Sequence, residues 1–367
     1  MGNQMIRVVI ACGGTGGHLF PGLAVAQVLK DRGHDVLLLV SEKAIDAQAL
    51  KAHPEFRSEK LPSVGLPSVL SPAFISFLAR TWESVSQCKH IYRRFKPDAV
   101  LAMGGFTSTA PLVAGRLGKI PTFVHESNAI PGKANKMAAK FVSNVLLGFN
   151  ECAKFFPGVA TTVTGTPVRK DLGDRIARDE AIRGFNLDPS LRTLVVMGGS
   201  QGASGINQLL IKASPMLASA GLQIIHLTGE RDDRLAAANY LREGIPAYVS
   251  PFHHAMQEVY SAADIIVSRA GASSLSETAH FGIASILIPY PYAAEDHQAR
   301  NAEIFVCAGA AEMLLESEAS AESLAQMVLR LLGDDDERNR MALAARSLAT
   351  DDSASVIATA LENAART

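Results

Sequence analysis

The sequence predicts an α/β protein built of two doubly wound, parallel-sheet domains in tandem, and three observations carry that prediction. Short continuous apolar runs alternate with helical patterns along the chain. Two glycine-rich turns, Gly13-Gly14-Thr15-Gly16-Gly17-His18 and Gly198-Gly199-Ser200-Gln201-Gly202-Ala203, each follow such a run and open a helical pattern. A length of 367 residues exceeds what one hydrophobic core usually covers, so two domains of ordinary size are the natural division. The strands read apolar throughout rather than alternating, as strands covered on both faces do, and this argues for parallel sheets.

In order along the chain, Arg7 to Cys12 reads as a strand, His18 to Arg32 as a helix and Asp35 to Val40 as a strand. Pro97 to Met103 is the next strand, Ser108 to Leu117 a helix and Pro121 to His125 a strand. Gly165-Thr166-Pro167-Val168-Arg169 punctuates the pattern as a linker, dividing the chain into domains 1–165 and 166–350. The second series repeats the plan, with strands at Thr193 to Met197, Gln223 to Leu227, Ala247 to Val249, Asp264 to Ser268 and Ser285 to Pro289. The Ala-rich stretches Asp336 to Ala349 and Ser353 to Ala365 read as helices, with Asp351-Asp352-Ser353 as break and cap between them. The last, about 351–367, is a candidate to pack back on the first domain.

Hydrophobic content of 48% with 6% aromatic residues describes an aliphatic globular chain rather than a disordered or fibrous one. The net charge of −1 hides an asymmetry: residues 1–168 carry +8 and the remainder −9. A basic first half suits phosphates, nucleic acid or an anionic membrane, and a solvated surface equally. Cys12, Cys88, Cys152 and Cys307 match no metal or disulfide spacing and read as reduced, mostly buried thiols of a cytoplasmic protein. Arg7 leads directly into the first strand with no leader pattern before it, and no apolar stretch reaches spanning length, so membrane contact is expected to be peripheral.

In parallel sheets, ligands bind outside the carboxyl ends of the strands, where this sequence places its polar clusters. Besides the two turns these are Met103-Gly104-Gly105-Phe106-Thr107-Ser108, His125-Glu126-Ser127-Asn128, and the segment from Arg269 to Glu277. Both turns end a strand in a way that aims backbone N–H groups at an anion. A dinucleotide fingerprint is the rival reading of the first turn, but Leu19 stands where its third glycine is required, and that motif predicts one cofactor turn rather than two.

With these motifs the chain resembles glycosyltransferase family 28 of the GT-B class, the peripheral membrane N-acetylglucosaminyltransferases of peptidoglycan synthesis. The resemblance rests on both glycine turns, His125-Glu126-Ser127-Asn128, Gly165-Thr166-Pro167-Val168-Arg169, Arg269 to Glu277 and Asp296-His297-Gln298, and runs from residue 6 to about 310. It implies two Rossmann-like domains facing across a cleft, the first for acceptor and membrane and the second for UDP-GlcNAc. It also implies inverting transfer of GlcNAc to the C4 hydroxyl of MurNAc in undecaprenyl-pyrophosphoryl-MurNAc-pentapeptide (lipid I), giving lipid II at the cytoplasmic face of the bacterial inner membrane. The partners implied are UDP-GlcNAc, lipid I, an anionic membrane surface and cell-wall synthesis proteins, with no nucleic acid, no cofactor and no tightly bound metal.

The resemblance carries donor-side roles to Thr15, Gly16, Gly17, Asn128, Arg169, Ser200, His253, Ala272, Ser273, Ser274, Leu275, Ser276, Glu277 and Gln298. Glu277 is expected to accept hydrogen bonds from the ribose hydroxyls, and Asn128 and Gln298 to hold the sugar hydroxyls, as amides that both donate and accept. Ser200 and the surrounding N–H groups suit the UDP phosphates, with Arg169 as a charge-assisted partner. The resemblance also implies that the loop at Phe252-His253 reads the uracil partly through its backbone. Gly14, His18, Gly104, Gly105, Phe106, Thr107 and Ser108 form the acceptor side; Thr109-Ala110-Pro111 departs from the family pattern there, and the Thr107 and Ser108 hydroxyls are expected to compensate. For the base, His18 and Glu126 are the candidates, with no single dedicated base as the third alternative, and His18 has the alternative of binding phosphate as an imidazolium.

No Asp-x-Asp metal motif follows an apolar strand, and Asp334-Asp335-Asp336 reads as a capped, solvated turn between helices. Phe74, Phe77, Leu78, Trp82 and Val85 recur at helical spacing, followed by Lys89, Arg93, Arg94 and Lys96. Such a stripe suits an anionic leaflet or, equally, the core face of an ordinary helix. Two other classes use part of this pattern. Another UDP-sugar GT-B enzyme, a lipid glycosyltransferase or a UDP-GlcNAc 2-epimerase, shares the donor geometry, although the His18 turn and the Asn128 cluster argue against it; a non-catalytic binding module needs no acceptor-side turn.

Overall fold

The computed structural model describes residues 4–51, 53–62, 73–173, 175–199, 202–350 and 352–366. The chain divides into two compact units, the first comprising 1–170 and 350–367 and the second 171–349. Among the described residues the first unit contains strands β1 (Arg7–Ala11), β2 (Asp35–Ser41), β3 (Arg57–Leu61), β4 (Ala99–Ala102), β5 (Thr122–Glu126), β6 (Asn144–Leu147) and β7 (Thr161–Val163). The second contains β8 (Arg192–Met197), β9 (Leu222–Leu227), β10 (Ala247–Ser250), β11 (Ile265–Ser268), β12 (Ala284–Leu287) and β13 (Ala311–Met313).

Both sheets are parallel throughout, in the orders β3-β2-β1-β4-β5-β6-β7 and β10-β9-β8-β11-β12-β13. The apolar continuity of the strands follows from burial on two sides. Val8 and Ile10 of β1 enter one core with Leu19, Leu38 and Leu101, while Val9 and Ala11 enter another with Leu39, Val100 and Val124. Four strands escape the sequence reading. β3 is polar and mostly exposed, β7 and β13 are three-residue edge strands, and β6 is a four-residue run.

The strand order reverses between β1 and β4 in one sheet and between β8 and β11 in the other. At such switch points neighbouring loops part and leave a crevice at the carboxyl ends of the strands. The first glycine turn follows β1 and the second follows β8, so each turn stands at the switch point of its own sheet.

The C-terminal helix Ser353–Ala365 packs on the helix Gly16–Asp31 within the first unit, placing Ile357, Ala358 and Leu361 in its core. A buried polar clasp fixes the contact. Ile6 N–H donates to His34 Nδ1 (3.3 Å), so Nε2 carries the proton and donates to Glu362 Oε1 at 2.9 Å, which also accepts from Arg32 Nη1 at 3.1 Å. Asp334 caps the helix Asp335–Ser347 by accepting from Glu337 N–H (2.8 Å), and Asp335 pairs with Arg192 at 2.7 Å.

Cys12, Cys88 and Cys152 are buried free thiols and Cys307 is exposed. Among the described residues no group of three or more His, Cys, Asp and Glu is placed to hold a metal ion, and no helix is long and apolar enough to cross a membrane.

Candidate active site

In the first unit the loops after β1, β4 and β5 meet around His18. The glycine turn bends Gly14 into the left-handed region (φ 107°), and Gly16 and Gly17 open the helix Gly16–Asp31. The turn does not offer all its N–H groups outward. Gly14 N–H donates to Asp46 Oδ2 (2.8 Å), which also accepts from Ser41 N–H (2.9 Å) and the Ser41 hydroxyl (2.5 Å). Asp46 is fully buried, and Lys43 Nζ reaches Gly14 O at 2.8 Å. The Gly14 N–H is therefore engaged within the fold, with a buried carboxylate and a lysine ammonium both placed at the turn.

His18 Nδ1 lies 3.2 Å from the Thr15 hydroxyl. Its ring rests against the second glycine loop: a Cβ placed on Gly104 would stand 3.2 Å from His18 Nε2, and one on Gly105 would stand 3.0 Å from Cε1. Glycine at both positions is therefore what lets the imidazole sit there, and both have positive φ. Burial lowers the imidazole pKa to about 4 against the pull of Asp46, and Lys43 adds to the lowering. His18 is neutral at physiological pH.

The hydroxyls expected to compensate on the acceptor loop turn inward. Thr107 Oγ1 donates to Gly13 O (2.9 Å), and Ser108 Oγ donates to Gly104 O (2.6 Å) while accepting from Gly104 N–H (3.1 Å). They shape the loop by satisfying its backbone, so their protons are not offered to a ligand. The side chain of Phe106 lies outside the described residues.

Glu126 is 3% exposed and accepts from four donors. Oε1 takes Asn128 N–H (3.0 Å) and Nδ2 (3.1 Å), and Oε2 takes Gly132 N–H (3.0 Å) and Asn135 Nδ2 (2.8 Å). Burial raises its pKa against those donors. The carboxylate thus organises the 126–135 loop and orients Asn128. Asn135 also donates to His125 O (3.1 Å), joining this loop to the strand end. His125 is itself buried, with Nε2 donating to Gly165 O (2.9 Å) and Nδ1 accepting from Ser127 Oγ (3.2 Å). Arg169 belongs to the first unit, where its guanidinium lies 4.4 Å from the centre of the Phe20 ring.

In the second unit the turn after β8 leads into the helix Ser204–Leu217. Ser200 lies outside the described residues. Gly202 N–H closes the turn on Gly199 O (2.9 Å), and Gly202 packs so tightly that an added Cβ would fall 2.2 Å from Thr228 O.

After β11 the helix Ala272–Phe281 begins, with Gly271 at its N-cap. Ala272 and Leu275 bury their side chains in the core, leaving backbone as what they offer a ligand, while Ser273, Ser274, Ser276 and Glu277 are half-buried. Glu277 Oε2 accepts from the buried Tyr260 hydroxyl at 2.6 Å, a partner that no local pattern marks.

Gln298 Oε1 accepts from Tyr290 N–H (3.0 Å) and Ala270 N–H (3.3 Å), which orients the amide at the start of the helix His297–Cys307. Arg269, buried beside it, donates to Ile288 O and Pro289 O (both 3.1 Å) and pairs with Glu316 at 2.5 Å. His253 stands between Tyr248 Oη (3.3 Å) and Glu258 Oε2 (3.1 Å), so its side chain is held within the fold.

The helix Ala73–Phe95 has two faces. Val85, placed in the apolar stripe by its spacing, is in the core with Cys88, Ile91 and Tyr92. Trp82 is 65% exposed with Lys89 Nζ 5.5 Å over its ring, and Arg93 and Arg94 are exposed, the latter paired with Glu59. The side chains of Phe74, Phe77 and Leu78 lie outside the described residues.

Comparison with known proteins agrees along the whole chain. Residues 8–147 match the glycosyltransferase family 28 N-terminal domain and residues 193–357 the family 28 C-terminal domain. The UDP-N-acetylglucosamine--N-acetylmuramyl-(pentapeptide) pyrophosphoryl-undecaprenol N-acetylglucosamine transferase of Geotalea uraniireducens is 40% identical, the alignment covering 96% of each chain. The Pelobacter propionicus protein of the same name is 38% identical over 96% of this chain and 98% of its own. Among solved structures, Acinetobacter baumannii MurG has a TM-score of 0.77 at 26% identity, covering 98% of this chain and 99% of that one. A UDP-N-acetylglucosamine 2-epimerase-like protein of Listeria monocytogenes has a TM-score of 0.70 at 11% identity and shares the fold alone, with 96% of this chain and 94% of that one covered. With its two parallel-sheet units in the GT-B arrangement of strands and these relatives, the chain belongs to glycosyltransferase family 28.

Proposed function

We propose that this chain transfers GlcNAc from UDP-GlcNAc to the C4 hydroxyl of MurNAc in lipid I, with inversion at the anomeric carbon, to give lipid II. The observation that carries the reading is the pairing, in a chain of this family, of a neutral His18 set on the Gly104–Gly105 loop with a Glu277 held by Tyr260 at a switch-point helix. The first supplies a proton acceptor and the second a ribose-binding carboxylate.

The acceptor binds the first unit and the donor the second. As the C4 oxygen attacks the anomeric carbon, its proton passes to the His18 imidazole, the new C–O bond forms, and the bond to the UDP oxygen breaks with its electron pair. The lowered pKa of His18 keeps the imidazole unprotonated, and so able to accept a proton, at neutral pH. Glu126 acts by orienting Asn128, whose amide is offered to a sugar hydroxyl. Charge growing on the leaving diphosphate is met by the positive end of the helix Ser204–Leu217.

The reading extends to the bacterial inner membrane. The exposed Trp82, with Lys89, Arg93 and Arg94 on the same helix, forms a surface for an anionic leaflet at the cytoplasmic face, next to a lipid-linked acceptor. Release of UDP from UDP-GlcNAc, measured with and without a lipid I analogue, tests the function. Acceptor-dependent release is the expected result. Release without acceptor would indicate an epimerase, and none under either condition a binding module.

A further inference from the structure

Beneath the second glycine turn runs a chain of polar groups that the transfer reaction does not itself use. Asn207, one turn into the helix Ser204–Leu217, donates from Nδ2 to Thr228 O (2.8 Å) and to Asp232 Oδ2 (2.7 Å). A carbonyl and a carboxylate both accept, so the amide has only one acceptable orientation, with Oδ1 on the other side. There it meets His226 Nε2 at 3.0 Å, and the nitrogen must therefore carry the hydrogen and donate.

Burial lowers the His226 pKa to about 3 against the pull of Asp232, which keeps the ring neutral. Its Nδ1 is then an acceptor and takes the Tyr240 hydroxyl proton at 2.8 Å. Asn207, His226, Thr228 and Tyr240 are each at most 1% exposed. The direction of every hydrogen bond from Tyr240 to Thr228 is thus set by chemistry, with one tautomer of His226 at the centre.

This chain ends against the turn. An added Cβ on Gly202 would lie 2.2 Å from Thr228 O and 2.9 Å from Gly229 Cα, so the turn backbone rests directly on the carbonyl that Asn207 holds. We propose that His226 is a positioning residue for the donor: through Asn207 it fixes the Thr228 carbonyl, and with it Gly202 and the start of the helix Ser204–Leu217 that meets the diphosphate of UDP-GlcNAc. The inference rests on the donor reading of the second unit.

The test measures UDP affinity by calorimetry, together with kcat and donor KM, for the full chain and its His226→Leu, His226→Gln and Tyr240→Phe variants. A Gln amide nitrogen replaces Nε2–H and still donates to Asn207, whereas Leu does not. The expected result is a loss of UDP affinity and a rise in donor KM of about tenfold for His226→Leu, the effect of one buried hydrogen-bond partner. At saturating donor kcat stays within about threefold of wild type, and His226→Gln restores affinity to within about threefold.

Tyr240→Phe removes only the proton given to Nδ1, shifts KM in the same direction by less, and keeps the proposal testable if His226→Leu does not fold. Unchanged affinity in His226→Leu, a loss that Gln does not repair, or an unmoved KM in Tyr240→Phe overturns the role of His226. A wild-type chain that binds no UDP overturns the donor reading on which it rests.

Discussion

Behind the first glycine turn stands the buried carboxylate of Asp46, accepting from Gly14 N–H; behind the second stands the Thr228 carbonyl, held in place by the Asn207 amide. The two turns share a sequence shape, a position after the third strand of a parallel sheet and a following helix. They differ in charge. The first turn has the Asp46 carboxylate behind Gly14 N–H and the Lys43 ammonium at Gly14 O. A carbonyl carries only a dipole. On the proposed reading the first turn seats the His18 imidazole beside the acceptor hydroxyl, and the helix Ser204–Leu217 that follows the second meets the diphosphate.

The largest effect that sharpens this contrast is expected at His18. His18→Ala should lower kcat by about 10³-fold, within the range for loss of a general base, with UDP affinity retained. A base must be unprotonated, and the His18 pKa is lowered to about 4, so the His18-dependent part of kcat/KM should be flat through neutral pH and fall only as pH drops toward 4. A profile that instead falls as pH rises through 6 to 7 would mean a working imidazolium and break the contrast. Steady-state rates across pH, compared between wild type and His18→Ala, make the check.

Glu277 tests the other half. Glu277→Ala removes the acceptor of the Tyr260 hydroxyl and, on the proposed reading, of the ribose hydroxyls, and donor KM should rise about 30-fold while acceptor KM stays within about twofold. Equal shifts in both KM values would remove the division of labour. Tyr260→Phe should reproduce a smaller part of the donor effect.

The smallest expected change is at the surface. Trp82→Ser should reduce co-sedimentation with anionic vesicles about threefold without altering the melting temperature, because the side chain is 65% exposed. Unchanged vesicle binding would remove Trp82 from the membrane surface.

Much of the fold was legible because its causes are local. Val8, Val9 and Ile10 announce a strand buried on both faces, and glycines at 104 and 202 announce backbone that tolerates no side chain. The polar edge strand β3 was not legible, since Arg57-Ser58-Glu59-Lys60 carries no apolar signal and is held by pairing with β2. In the site, His18, Glu126 and Glu277 stand within recognisable motifs, but their partners do not. Asp46, Tyr260 and His226 act through contacts with residues 32, 17 and 19 positions away, which no spacing rule reports. Val85 fell into the apolar stripe for a related reason: helical spacing marks an apolar face without saying whether core or solvent meets it.

The division between the turns is tested most directly by titrating UDP into Gly202→Ala and Asp46→Asn in parallel with wild type. An added Cβ at Gly202 meets Thr228 O at 2.2 Å, so that variant should lose at least about tenfold in UDP affinity. Asp46→Asn removes the charge behind the first turn and should leave UDP affinity unchanged while lowering turnover with acceptor. Full UDP affinity in Gly202→Ala, with a loss in Asp46→Asn, would contradict the account.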